Sequence, residues 1–291
     1  MPETARDATP LRAAIAVAER FGVRTTDPSV LSDGANLVVH LAPAPIVARV
    51  ATLTAAVRPR IWQSFAREIA LTSYLRDEGV PVVGPASDLP PGPHSEGGWT
   101  ISFWDRVPAP ADDAAIDVAS FGTMLRELHE VLCGYAGPVE PFGTDAPPLG
   151  DIEIYLRQVE TGERPGSAIT ADDIALIRAD LADLLARPPD PVQPLHGDAH
   201  PGNLIAGPSG FVWSDFEESC RGPVAWDLAS FARTRRFDPA PALAAYGDVP
   251  DLTIALRLRA LHGLIWWAIF AEADPKHHGI LDERLAELRR R

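Results

Sequence analysis

The 291 residues, 46% hydrophobic and 23% charged, suffice for one large domain or two modest ones with a buried core. The net charge of −14 lies mostly late in the chain: residues 1–105 hold 9 Arg against 11 acidic side chains, and residues 106–291 hold 17 basic against 29. That balance excludes the basic stripe of a nucleic-acid groove, and two distant cysteines, Cys133 and Cys220, make neither a zinc ribbon nor a disulfide framework.

In chain order, Met1–Pro10 is polar and has no apolar core of an export signal; with reduced cysteines this reads as a cytoplasmic protein. Leu11–Arg20 has helical composition and is expected on the outside of the first domain. Leu31–Asn36, with Ser32, Gly34 and Asn36, reads as a turn between two strand-like runs; Leu37–Leu41 and Ile46–Val50 follow as a strand pair across Ala42–Pro45. Arg49 falls near the end of the second strand.

Ile61–Asp77 reads as a helix whose Glu68 shares a face with apolar residues. A carboxylate so placed needs a cation, and Arg49 is the natural one. Val80–Gly98 is rich in Pro and Gly and holds at most one short strand, and Trp99–Trp104 is another. Helices then dominate, at Ile116–Leu132, Asp151–Thr161, Ala171–Arg187, Ala225–Thr234, Pro239–Tyr246 and Leu252–Ala273, with a capping box at Thr170 and Asp173. Gly137–Gly150 is a proline-rich loop. The longest apolar run, Leu261–Ala273, contains His262 and Glu272 and is too short to span a bilayer, so no membrane partner is expected.

The chemistry concentrates between Leu195 and Glu217. Leu204–Ala206 and Phe211–Trp213 flank Gly207-Pro208-Ser209-Gly210, the pattern of a β-hairpin. With the turn at Pro208 and Ser209, Asn203 faces Ser214 and Asp215 lies one step beyond, at the same open end. Asp198 precedes Asn203 by five residues in a Gly/Pro-rich loop and is expected to converge with both. Oxygen-only ligands around an open loop suit Mg2+ held together with phosphate oxygens.

His196-Gly197-Asp198-Ala199-His200-Pro201-Gly202-Asn203, followed by Asp215-Phe216-Glu217, resembles the H-G-D-x-H-x-x-N and D-x-E signature of the aminoglycoside phosphotransferase family. The resemblance implies an α+β, bilobal protein-kinase-like fold. A small β-rich N-lobe would occupy 1–105 and a larger, mainly helical C-lobe 106–291, with a link at about 103–107. It implies a kinase that uses ATP (or GTP) and Mg2+ to phosphorylate a hydroxyl of a small molecule, such as an aminoglycoside-like antibiotic, a sugar or an amino alcohol. A cationic acceptor would suit the acidic second half.

On this resemblance Asp198 accepts the acceptor's proton, and Asn203 and Asp215 hold the metal. Arg49 stands where kinases have a phosphate-binding Lys, with Glu68 as its partner; Arg can fork across two phosphate oxygens. Ser32, Gly34 and Asn36 would cover the phosphates, although no G-x-G-x-x-G is present. Phe103, Trp104 and Asp105 would meet adenine, His196 would support the loop, and Asp227 would brace it. Glu217 would either reach a second metal or face water, and His200 has no assigned proton transfer. His262, Trp266, Trp267 and Phe270 lie on a helix that walls the acceptor site in the family, although aromatics at helical spacing are commonly core. Two other readings stand beside this one: a Zn2+ hydrolase built on His196, Asp198 and His200, and a nucleotide-binding homologue without turnover.

Overall fold

The structure is a computed structural model that describes residues 9–108, 115–187, 192–234 and 237–290, so most of the polar N-terminal stretch, residues 1–8, lies outside the described residues. The chain forms two units that are discontinuous in sequence. The first comprises Met1–Ile116, Gly134–Pro138 and Gly202–Glu217, and the second Asp117–Cys133, Val139–Pro201 and Glu218–Arg291. A single cut at 105/106 therefore misplaces the Asn203–Asp215 hairpin. Its Trp213 exchanges backbone hydrogen bonds with Pro81 and Val83, which draws it into the first unit.

In the first unit, helix α1 (Pro10–Arg20) starts at Thr9, whose hydroxyl accepts from the Arg12 N–H, and Pro10 occupies the first turn, where its missing N–H does no harm. Its Ala13, Ala14, Val17 and Ala18 pack on an antiparallel sheet. Strands β1 (Thr25–Asp33), β2 (Asn36–Pro43) and β3 (Ile46–Ala51) come first. The turn expected over Leu31–Asn36 is narrower than its composition suggests: Ser32 and Asp33 still pair with Val38 and Leu37, so only Gly34 and Ala35 turn. A short helix α2 (Leu53–Val57) precedes α3 (Ile61–Asp77), which has the bounds that its apolar stripes predict. Strands β4 (His94–Glu96) and β5 (Trp99–Asp105) complete the sheet in the order β1-β2-β3-β5-β4.

The second unit begins with α4 (Val118–Leu132), capped by the Asp117 carboxylate, then β6 (Glu140–Pro141), α5 (Gly150–Glu160) and α6 (Ala171–Leu185). The capping box at Thr170 and Asp173 is present. After β7 (Val192–Leu195) the chain passes to the first unit for the hairpin β8 (Leu204–Gly207) and β9 (Gly210–Trp213). It returns as β10 (Cys220–Pro223), antiparallel to β7 and parallel to β6. Helices α7 (Val224–Ala232), α8 (Ala240–Tyr246), α9 (Thr253–Ala273) and α10 (His278–Arg289) follow. Gly122 lets α4 lie against α8, since a Cβ there would meet the Ala242 carbonyl at 2.0 Å. The apolar run from Leu261 is only the second half of α9. At 21 residues this helix is long and apolar enough to cross a membrane by length and composition, but 56% of its apolar window is buried inside the protein.

Candidate active site

In the first unit the hairpin forms as its sequence predicts, with Leu204 opposite Trp213 and Gly207 opposite Gly210. The Ser214 N–H donates to the Asn203 carbonyl at 2.9 Å, so Asn203 and Asp215 leave the ladder at the same end. Asp215 has φ 64, the only positive φ outside glycine among the described residues. A left-handed residue with a Cβ costs roughly 1–2 kcal/mol, which the packing around it must over-determine. Asn203 and Asp215 line one cavity of about 660 Å3 together with Ser32, Asn36, Arg49, Glu68, Trp104 and Asp105.

Arg49 is the buried cation of this cavity. It is ion-paired to Glu68 of α3, donates to Asp215 Oδ1 at 2.9 Å, and lies over the Phe65 and Trp104 rings at 4.8 and 5.4 Å. Strand β3 aims it and α3 supplies its counter-charge, as the shared face of Glu68 implies.

Glu217 is fixed elsewhere. Arg58 donates to its Oε1 at 2.7 Å and Asn36 Nδ2 to its Oε2 at 2.6 Å, while Thr54 donates to Asn36 Oδ1. The acid of D-x-E thus ties the hairpin's end to the segment around α2. Asn36 lines the cavity, but its side chain serves this network.

Two expected contacts fall away. Gly34 does not line the cavity, and its N–H donates to the Asn36 carbonyl at 3.2 Å. Phe103 is fully buried in the sheet core, with its N–H on Pro91 and its carbonyl taken by Ala86, so it presents nothing to a ligand. Period-2 alternation would leave one face of β5 open, but residues 101–104 are all buried.

In the second unit the loop carrying Asp198 is held from below. Asp227, fully buried, accepts from the His196 N–H at Oδ2 and the Gly197 N–H at Oδ1, both at 2.9 Å, and His129 Nε2 lies 3.0 Å from Oδ2. Burial opposes the Asp227 charge, but the His129 hydrogen bond and the nearby charges of His129, His196 and Arg259 carry its pKa below the ordinary value. Trp226 Nε1 donates to the Gly197 carbonyl at 2.7 Å. Gly197 has φ +92, and a Cβ there would sit 2.0 Å from the Glu218 carbonyl, so the loop closes only with glycine.

Asp198 is surrounded by donors. Arg259 Nη1 reaches Oδ1 at 3.0 Å, Ser230 Oγ donates to Oδ1 at 2.9 Å, and His200 Nε2 lies 3.3 Å from Oδ2. Surrounding protein disfavours the charge, but His200, Arg259 and Ser230 together hold the carboxyl well below the usual carboxylate range. His196 is buried, and its Nδ1 faces the Asp198 N–H at 3.3 Å, a loop-supporting role.

The His196, Asp198 and His200 zinc set does not converge. Among the described residues, the one group of three such ligand atoms within 4.8 Å of one another is Asp151, Glu218 and His262. There the Trp266 indole donates to His262 Nε2 at 3.1 Å, occupying that lone pair. Trp266 and Trp267 each stand 5.7 Å from Phe270, an aromatic cluster on α9.

Reasoning from sequence misses Arg58, Ser230, His129 and Arg259. Arg259 alone leaves a signal: it interrupts an apolar helix, where a charge requires partners.

The profile of the Phosphotransferase enzyme family (APH) matches residues 31–260. Among curated proteins no sequence matches. Among solved structures, amicoumacin kinase hAmiN in complex with AMP-PNP, Ca2+ and Ami aligns at TM-score 0.68 and 12% identity, over 94% of this chain and 92% of that one. The choline kinase LicA from Streptococcus pneumoniae aligns at 0.63 and 16% identity, over 94% and 98%. An aminoglycoside-3'-phosphotransferase of type VIII aligns at 0.59 and 19% identity, over 85% and 97%. At these identities the likeness is one of fold, the protein-kinase-like α+β fold. The family profile goes further and covers most of the sequence, including the Asp198 loop and the hairpin: the chain belongs to the APH phosphotransferase family, whose members are small-molecule kinases.

Proposed function

We propose that the protein transfers the γ-phosphoryl group of ATP or GTP to a hydroxyl of a small molecule. The observation that carries this reading is the cavity lined by Arg49, Asn203 and Asp215: one buried cation beside two oxygen ligands. An amide oxygen and a carboxylate fit a hard divalent ion, and Asn203 and Asp215 would hold Mg2+. Bound there, the metal supplies charge neutralisation on the nucleotide's phosphates.

Arg49 binds the α- and β-phosphates, and Trp104 offers the base an aromatic wall. Asp198 orients the acceptor hydroxyl and takes its proton as the new O–P bond forms and the bond from Pγ to the β–γ bridging oxygen breaks. A carboxylate held strongly ionised is a weak base in the ground state, so Asp198 acts first by orientation and receives the proton late. The complexes of relatives with AMP-PNP and Ca2+, or with GDP and kanamycin, support nucleotide and divalent metal as ligands. The acidic second half favours a cationic acceptor, an aminoglycoside or an amino alcohol.

The test is an ADP-release screen over hydroxylated antibiotics, sugars and amino alcohols with Mg2+ and ATP or GTP, using Asp198→Ala as the blank. Acceptor-dependent release that Asp198→Ala loses supports the reading, and full turnover in that variant overturns it.

A further inference from the structure

We propose that Arg259 of α9 is a positioning residue for phosphoryl transfer: together with Ser230 of α7 it clamps Asp198 by Oδ1 and so fixes the carboxylate's rotation. The proposal rests on the reading of Asp198 given above.

Arg259 is 4% exposed; its guanidinium meets Asp198, Gly197, Trp226 and Glu218, while its backbone carbonyl accepts from Arg233 Nη1 at 2.6 Å. Nη1 is 3.0 Å from Asp198 Oδ1, Nη2 donates to the Gly197 carbonyl, and Nε donates to the Trp226 carbonyl at 3.3 Å. Its guanidinium lies 3.8 Å from the Trp226 ring centroid, and Glu218 Oε2 is 3.8 Å from Nη1. Stacking sets the plane of the fork, the two carbonyls set its rotation within that plane, and of the three N–H groups left, one on Nη1 is directed at Asp198.

Ser230 brings a second donor to the same oxygen at 2.9 Å. Two donors occupy Oδ1, so an acceptor hydroxyl is met more readily through Oδ2, which His200 Nε2 also approaches at 3.3 Å. That oxygen lies on the side of His200, which is 38% exposed. A carboxylate on a free Cβ–Cγ bond would offer either oxygen, whereas the clamp presents one. The ion pair therefore serves orientation rather than burial alone.

The experiment uses Arg259→Met, Arg259→Lys and Ser230→Ala, each checked for folding by thermal melt. It measures kcat, acceptor KM and nucleotide Kd. Arg259→Met is expected to lower kcat by about 10- to 100-fold, the range for a lost charged hydrogen bond, with nucleotide Kd unchanged. Arg259→Lys recovers part of that loss, and Ser230→Ala loses roughly threefold to tenfold in kcat alone.

The deciding arm places Arg259→Met in the Asp198→Ala background, whose residual turnover is followed at high enzyme concentration over long times against an enzyme-free control. A residue that acts through Asp198 adds no further loss there, while a merely structural one does. Wild-type kcat in folded Arg259→Met overturns the proposal, as does an equal loss in the double variant or a loss expressed in nucleotide Kd. If Arg259→Met fails to fold, wild-type kcat in Ser230→Ala overturns it, and the expected drop there with Kd unchanged supports it. Full turnover in Asp198→Ala alone instead overturns the reading of the base, so the two failures are distinguishable.

Discussion

Arg49 Nη1 donates to Asp215 Oδ1 at 2.9 Å, so Asp215 shares with Glu68 the one cation proposed to meet phosphate. On the proposed reading, phosphate would compete with Asp215 for Arg49 and a divalent metal would compete with Arg49 for Asp215, which would make the two binding events interdependent.

For Asp215→Asn this gives a specific expectation. Turnover falls by two orders of magnitude or more, on the scale of losing a main electrostatic contribution to transition-state stabilisation. Nucleotide binding loses its dependence on Mg2+, and in EDTA it is as tight as wild type or tighter, because the Asp215 charge no longer competes for Arg49, which keeps its pair with Glu68. Calorimetric titration of ATP with Mg2+ and with EDTA measures both.

Glu217 makes a contrasting case. Its two oxygens serve Arg58 and Asn36, so Glu217→Ala takes a paired carboxylate away from a buried guanidinium and should destabilise the fold by roughly 3–5 kcal/mol. Adding Arg58→Met recovers much of this in urea denaturation. Glu217→Gln keeps an acceptor and the Mg2+ dependence of turnover.

The third prediction concerns pH. Arg289 donates to both oxygens of Asp173, at 2.7 and 2.6 Å, and with Thr170 it outweighs burial and holds the carboxyl down at about 2. A folded-state pKa below the ordinary value stabilises the protein above about 4, and that stability is lost as the pH falls through about 2. Arg289 is 49% exposed, so solvent screening reduces the contribution to about 1 kcal/mol. Asp173→Asn should therefore be less stable by that amount at pH 7, and the gap should narrow steadily in denaturation series taken from pH 5 towards pH 3.

Thiol reactivity should separate the two cysteines. Burial, with Asp227 and Glu218 nearby, pushes the Cys220 thiol well above its ordinary value, whereas Cys133 is exposed. Iodoacetamide at pH 8 should label Cys133 alone in the folded protein and both thiols after denaturation, as read by peptide mass spectrometry.

The sequence shows its strongest local patterns truly. Helix α3, the capping box at Thr170 and the hairpin at Pro208-Ser209 each rest on side chains a few positions apart. The burial of Glu68 against Arg49 was legible too, because an acid on an apolar face demands a cation. Strands β7 and β10 were not legible: Val-Gln-Pro-Leu and Cys-Arg-Gly-Pro have no strand pattern and become strands by pairing with each other and, for β10, with β6. The clamp on Asp198 was hidden for a similar reason, since Arg259 lies 61 residues away in sequence. The resemblance put Phe103 against adenine, whereas β5 is covered on both faces at that position.

The interruption of the first unit by the second bears on how this chain can be dissected. Trp213, almost fully buried, exchanges backbone hydrogen bonds with Pro81 and Val83, so a truncation ending at residue 116 would remove the two-stranded hairpin and a large indole from a hydrophobic interior. Such a fragment should expose apolar surface and aggregate on expression. Adding residues 202–217 in trans, as a synthetic peptide, supplies the missing ladder, and complementation of the truncated chain by that peptide would restore its solubility.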